Sequence, residues 1–362
     1  MNDIFERIAR MSPERRKVLE KLLRKEGINL PDSPLHDSKA QPPAESSSYE
    51  KDNRQLYDSL IKEQSESLLV RIQPCGDRLP FFFIHPVGGS VFCYTELARQ
   101  MGKERPVYGI KASGLAPGTE PLTHLRNMTE QYTRIIRDIC PSGPYLLGGV
   151  SAGGNIAYEI ARDIRGQGED VRLLTLIDTF SFYDYLVDDD VDYFLAFSLS
   201  FGLFFNTDPL TSYYDVLNIS PDEGIDAIYR NIRTLSHAER LDILRMCMSE
   251  AGITGADISA DYLDRYFRVY VANCRALIDY TPDAYSGKVI LFRATTDDPL
   301  ALKLGDPDHR LTDSTLGWNS YASDIEVYDI PGSNHYNILT LPYVSMVAKK
   351  LKQILGKCDN MN

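Results

Sequence analysis

YLLGGVSAGGNIAYEIAR, residues 145–162, sets one serine among four glycines and an alanine where an apolar run gives way to a helical pattern. A short apolar run that breaks at a tight turn and reopens as an amphipathic helix reads as a buried strand feeding a helix. Gly149-Val150-Ser151-Ala152-Gly153 is G-x-S-x-G in that context, the setting of a nucleophile elbow. Bulky neighbours would clash in so sharp a turn. Its tip lifts Ser151 clear of the sheet at a helix N-terminus, where exposed amides and the helix dipole favour developing negative charge. The competing reading is a glycine-rich turn that holds a phosphate. The spacing does not fit a P-loop, because no Gly-Lys-Ser/Thr follows.

Outward from the elbow, similar apolar runs recur: SLLVRI (67–72), PFFFIH (80–85), PVYGIK (106–111), VRLLTLID (171–178), KVILFRA (288–294) and IEVYDIP (325–331). Amphipathic stretches such as TELARQM and LRNMTEQYTRIIRDI lie between most of them. Continuous apolar runs alternating with helical patterns predict an α/β fold, a mostly parallel sheet covered by helices on both faces. The alternation breaks once, over about 180–283, in a stretch that reads as helical throughout, and we expect it to form a lid over the strand ends. Ten aromatic residues crowd the first part of that stretch, between Phe180 and Phe205. Most are expected to form the lid's own core, with a subset lining a channel.

Upstream, the pattern changes twice. Residues 1–30 read as a small helical unit, with Ser12 as N-cap, Pro13 at the first helical position and Gly27 at the end. Eight Lys and Arg residues against five acidic ones leave this unit net +3 in a chain that is −12 overall. It is either a solvated helix packed on its own domain or a tether that docks a partner protein. Residues 31–66 are rich in Pro, Ser and charge and too poor in apolar side chains to offset ordering entropy, so we expect a flexible linker. The domain proper is expected over 67–358.

The acidic balance offers no broad basic field to neutralise phosphates, which argues against nucleic acid as a partner. Six scattered cysteines without a C-x-x-C pair read as reduced thiols of the cytoplasm, with neither a disulfide framework nor a metal site. No apolar run reaches 18 residues, and the charged N-terminus lacks the apolar core of a signal peptide.

Serine is a weak nucleophile and needs a base, itself oriented by a carboxylate. In the fold that uses G-x-S-x-G the chain order is Ser, acid, His. His36, His85 and His124 precede Ser151 and fail that order. His237 sits in the helical insertion and His309 in a polar loop. His335, in DIPGSNHYNIL, alone follows a strand and precedes a helix. For the acid, Asp178 ends VRLLTLID, while Asp297 and Asp298 follow KVILFRA one strand later; pattern leaves the three open. HPVGG, residues 85–89, follows the first long core strand, and the backbone amides of Val87 and Ala152 are the natural pair for an oxyanion hole.

Taken in order and spacing, FFFIHPVGGSVFCYTELAR, GPYLLGGVSAGGNIAYEIA, LLTLIDT, SGKVILFRA and IPGSNHYNILTLPYV resemble the thioesterase domains of nonribosomal peptide and polyketide synthetases, over residues 67–355. The resemblance implies an α/β-hydrolase fold. It implies Asp178, 27 residues past Ser151, as the acid in place of Asp297 or Asp298. It further implies an acyl or peptidyl chain that arrives as a thioester on a carrier protein's phosphopantetheine arm, passes to Ser151, and leaves by hydrolysis or macrocyclisation. No cofactor of the chain's own is implied. Transfer to an external alcohol or amine, and editing of misloaded carriers, are the alternatives. Two departures stand out: Val150 where the family often has Trp, and Pro331-Gly332-Ser333-Asn334-His335, one residue longer than the usual Pro-Gly-Asp-His. No Gly-Gly-Asp-Ser carrier motif lies upstream, so the carrier is expected in trans. Residues 1–30 resemble the helical segments that begin assembly-line subunits and are expected to meet an upstream one.

Overall fold

The computed structural model describes residues 67–181, 189–204, 209–250, 259–278, 280–296 and 313–360. Contacts divide the chain into units 1–49 and 50–362. The expectations for 1–30 and for the linker 31–66 lie outside the described residues.

Every apolar run singled out in the sequence becomes a strand: β1 (Leu69–Gln73), β2 (Phe81–Ile84), β3 (Val107–Ile110), β4 (Tyr145–Val150), β5 (Val171–Ile177), β6 (Tyr285–Ala294) and β7 (Ala322–Ile330). They form one sheet in the order β1-β3-β2-β4-β5-β6-β7. All neighbours run parallel except β1, which pairs antiparallel with β3 at the edge. This is the mostly parallel sheet of an α/β-hydrolase.

Why the central strands read as continuous apolar runs is visible in where successive side chains go. Phe81, Phe83 and Leu146 pack on one face, against helices α1 (Thr95–Met101) and α9 (Tyr343–Asp359). Phe82, Ile84 and Leu147 pack on the other, against α2 (Leu125–Ile139) and α3 (Ala152–Gly166). With both faces covered, no position in these strands faces water. The edge strand β7 is the contrast: ASDIEVYDI is largely half-buried or exposed.

Among the described residues between β5 and β6 lie five helices, α4 (Asp190–Phe204), α5 (Pro209–Val216), α6 (Gly224–Arg233), α7 (His237–Glu250) and α8 (Ala260–Ile278). They bury a core of their own, with Phe194, Phe197, Tyr213, Ile228 and Leu263 all fully enclosed. Of the aromatic residues at the start of the insertion, Tyr193, Phe194 and Phe197 belong to that core, while Phe180 joins the core beneath the sheet. Phe182, Tyr183, Tyr185 and Phe205 lie outside the described residues. α8 fastens the insertion to the domain: Arg265 donates to the Leu115 carbonyl at 3.2 Å, and Val269 packs against Ala112 and Leu115.

Candidate active site

Parallel strands deliver their C-terminal ends to one rim of the sheet, which is where open α/β sheets place ligands. Ser151 follows β4, Asp178 follows the adjacent β5, and His335 follows β7 by five residues. β4 and β5 are in register, Val150 opposite Ile177, and the Ser151 amide donates to the Ile177 carbonyl at 3.0 Å.

The turn at Ser151 is strained. Its φ of 54° and ψ of −134° lie outside the regions a serine ordinarily adopts, a cost of about 1–3 kcal/mol that the surrounding packing must hold. The flanking glycines show how little room there is. A Cβ on Gly149 would sit 2.1 Å from the Gly153 carbonyl carbon, and one on Gly153 would sit 2.3 Å from the Ile84 carbonyl oxygen. Gly154 is pressed as closely, with a Cβ there meeting Thr179 Oγ1 at 2.1 Å. Gly153→Ala forces backbone against backbone and is expected to lower stability by about 3 kcal/mol. Urea unfolding checks it, and an unchanged midpoint would mean that the elbow is looser than these contacts require.

The three side chains meet. His335 Nε2 is 3.0 Å from Ser151 Oγ, and His335 Nδ1 is 2.7 Å from Asp178 Oδ2. An ionised carboxylate only accepts, so Nδ1 carries the proton and Nε2 presents its lone pair to the serine hydroxyl. Asp178 is fully buried, and its second oxygen accepts the Ala294 amide at 2.9 Å. Asp178 has φ of 43°, a left-handed conformation in which Asp and Asn are enriched. Asp297, Asp298, His36 and His309 lie outside the described residues. Of the remaining histidines, His124 sits at the start of α2 beside Thr123, and His237 pairs with Asp264 on the exposed face of the insertion.

The longer loop before His335 is absorbed by folding inward. Gly332 takes φ of 78°, and Ser333 turns into the protein, fully buried. The Ser333 carbonyl accepts the amides of Thr295 and Thr296 at 3.1 and 2.9 Å. Asn334 and Asn337 then close the turn reciprocally. Asn334 Oδ1 accepts the amides of Tyr336 and Asn337, and Asn337 Oδ1 accepts the Asn334 amide at 2.8 Å.

Ser151 and His335 open into a cleft. Val87 and Gly88 of the HPVGG loop, Cys93, Val150, Ile338 and Leu339 form its walls, and Ser200 of α4 and Tyr266 of α8 reach it from the insertion. Among the described residues, Tyr266 of the insertion's last helix and Tyr336, next to His335, bring aromatic rings to the cleft. Ala152 is buried at the first position of α3, next to Ser151.

Four residues that brace this site carried no sequence signal. Tyr94 Oη donates to the Ile84 carbonyl at 2.6 Å and accepts the Val150 amide at 2.9 Å, tying the end of β2 to the elbow. Burial holds its phenol far above the ordinary range, so it stays protonated and able to donate. Thr179 Oγ1 donates to the Ser151 carbonyl at 3.1 Å and so joins the turn after β5 to the turn at Ser151. Trp318, fully buried, donates its indole N–H to the Thr179 carbonyl at 2.8 Å, and Asn155 of α3 donates to the Phe180 carbonyl at 2.8 Å. Each partner is far away in sequence, so no local pattern announces it.

A family model of the thioesterase domain matches residues 79–183, a span that holds the HPVGG loop, Ser151 and Asp178. Malpinin synthetase of Mortierella alpina is 36% identical over 139 residues, 38% of this chain and 2% of that protein. Atromentin synthetase nps3 of Serpula lacrymans var. lacrymans is 25% identical over 307 residues, 83% of this chain and 29% of that protein. Among solved structures, a four-domain nonribosomal peptide synthetase bound to AMP and glycine superposes with a TM-score of 0.68 at 26% identity. That superposition covers 82% of this chain and 21% of the other. The chain thus spans less than a third of the curated relatives it matches.

Proposed function

We propose that this chain, whose α/β domain is a thioesterase domain of the nonribosomal-peptide-synthetase kind, releases an acyl, polyketide or peptidyl chain from the phosphopantetheine thioester of a carrier protein. The observation that carries the reading is the hydrogen-bonded chain from Ser151 through His335 to Asp178 at the mouth of an apolar cleft. Ser151 Oγ attacks the thioester carbonyl as its proton passes to His335 Nε2, and buried Asp178 balances the imidazolium across Nδ1. The amides of Val87 and Ala152 hold the oxyanion of the tetrahedral intermediate. Collapse breaks the C–S bond, and the departing pantetheine sulfur takes the proton from Nε2, leaving an acyl ester on Ser151. Water, or a nucleophile within the chain itself, then attacks that ester by the same route in reverse.

The walls of the cleft fit the substrate class. Val87, Cys93, Val150, Ile338 and Leu339 offer apolar surface next to the nucleophile, which suits an uncharged acyl group. Val150 in particular leaves open the space that a larger side chain at that position would fill. The carrier belongs, in this proposal, to a second polypeptide, with residues 1–30 meeting an upstream synthetase subunit, the linker 31–66 between them and the domain, and the whole working in the cytoplasm.

The experiment is intact-mass measurement after incubation with a short acyl thioester such as an N-acetylcysteamine ester. Wild type is expected to gain the mass of the acyl group or to turn the thioester over, and Ser151→Ala to do neither. Equal behaviour of the two proteins would end the acyl-serine mechanism.

A further inference from the structure

His85 stands at the head of the HPVGG loop, fully buried, and takes no part in the proton path from Ser151 to Asp178. Its bonds are nevertheless fixed on both sides. Nδ1 lies 2.8 Å from the Pro86 carbonyl oxygen, and Nε2 lies 2.8 Å from Tyr132 Oη on α2. A carbonyl can only accept, which assigns the proton to Nδ1; Nε2 then accepts from the tyrosine hydroxyl. Burial lowers the ring's pKa to about 4, so it stays neutral, with this tautomer, throughout the neutral range.

The consequence falls on the next peptide. The Pro86 carbonyl receives two donors, the His85 ring and the Gly89 amide at 2.8 Å, both from its own side of the turn. The Pro86–Val87 bond is trans, and in a trans peptide the N–H points opposite to the C=O. With the carbonyl held towards the buried ring, the Val87 N–H is turned the other way, towards the cleft that Pro86 and Val87 line. The following peptide is held too: Asn273 of α8, itself buried, donates to the Val87 carbonyl at 2.8 Å. Val87 therefore has both of its peptide planes fixed by side chains from different parts of the fold.

We infer that His85 is a positioning residue for the oxyanion hole: as a neutral Nδ1–H tautomer held by Tyr132, it orients the Pro86–Val87 peptide so that the Val87 N–H meets the tetrahedral oxyanion. The inference rests on the acyl-serine reading above. An oxyanion donor is worth about 10²–10³ in kcat, and a donor that is present but misaimed loses part of that. Its contribution appears only as charge develops on the oxygen, so ground-state binding is untouched.

The test uses the full chain and three variants, with kcat and KM on an N-acetylcysteamine thioester, thermal unfolding, and the affinity of a trifluoromethyl ketone. That ketone adds Ser151 Oγ to its carbonyl, passes the serine proton to His335 and leaves an oxyanion in the hole. His85→Leu is expected to lower kcat about 30-fold at unchanged KM and to weaken the ketone by the same factor. His85→Asn places an amide N–H where Nδ1–H was and is expected to recover most of both. Tyr132→Phe, which frees Nε2, is expected to lose a few-fold in both. The inference falls if His85→Leu keeps kcat and ketone affinity, if the loss appears in KM, or if asparagine recovers neither quantity. Should His85→Leu fail to fold, the other two variants decide, and unchanged kcat and ketone affinity in Tyr132→Phe would overturn the inference. Wild type that forms no ketone adduct, or Ser151→Ala that still forms one, would instead overturn the acyl-serine reading.

Discussion

His335→Ala is expected to lower kcat for thioester turnover about a millionfold while leaving KM within a few-fold of wild type. The expectation follows from what each bond at the site does. Among the described residues the serine hydroxyl has one acceptor positioned to take its proton, Nε2 at 3.0 Å, and a hydroxyl without a base is a weak nucleophile at neutral pH. His85 cannot substitute, because its ring is committed to the Pro86 carbonyl and to Tyr132. His237 is bonded to Asp264 on the exposed side of the insertion. Substrate binding draws on the apolar walls of the cleft, which the substitution leaves intact. Combining His335→Ala with Ser151→Ala is expected to cost little beyond either alone, because base and nucleophile act as one unit. Single-turnover kinetics of the two single variants and the double variant read this directly. A loss under a hundredfold for His335→Ala, or losses that multiply in the double variant, would show that the serine and the histidine do not share a step.

The fold was legible because its strands are buried on both faces. Where Phe81, Phe82, Phe83 and Ile84 alternate between two helical layers, every position must be apolar, and the run stands out in the sequence. The antiparallel direction of β1 was not legible. A half-buried edge strand carries no mark of its direction, and only its partner β3 decides it. The described helices of the insertion fall within the break in alternation, but the sequence did not say which of its residues reach the cleft. Among the described residues of the insertion, Tyr266 and Ser200 line the cleft. That selection depends on how α4 and α8 pack over the sheet rim.

At the site itself, legibility followed chain locality. Ser151 was readable because glycines within three residues on either side are forced by the same tight turn. His335 stood out by chain order together with its strand-then-helix context. The carboxylate was not: three aspartates stood at strand ends, and resemblance chose among them. The braces were invisible for a stronger reason. Tyr94, Tyr132, Thr179 and Trp318 each act through a hydrogen bond to a residue that the fold, not the sequence, brings near. A buried tyrosine or tryptophan reads as core in any sequence, and its polar atom gives no local sign of its partner.

Asp178→Asn is expected to lower kcat about ten-thousandfold with the fold intact. Asparagine is the substitution that isolates the charge and the tautomer. Position 178 has φ of 43°, which asparagine tolerates nearly as well as aspartate, so little backbone strain is added. The side-chain oxygen that accepts the Ala294 amide at 2.9 Å has an equivalent in the new amide. Keeping that bond places the NH₂ group opposite His335 Nδ1, where the carboxylate oxygen stood at 2.7 Å. Nδ1 must then accept, the ring proton moves to Nε2, and the lone pair that would take the serine proton is gone. Flipping the amide restores the ring tautomer but sets two buried donors against each other at Ala294, a cost of about 1–3 kcal/mol. Neither arrangement supplies the negative charge that balances the imidazolium. Urea unfolding of Asp178→Asn is expected to stay within about 1–3 kcal/mol of wild type while turnover collapses. Turnover within tenfold of wild type in a folded protein would move the acid's role to another residue, and would detach the geometry of Asp178 from the chemistry of Ser151.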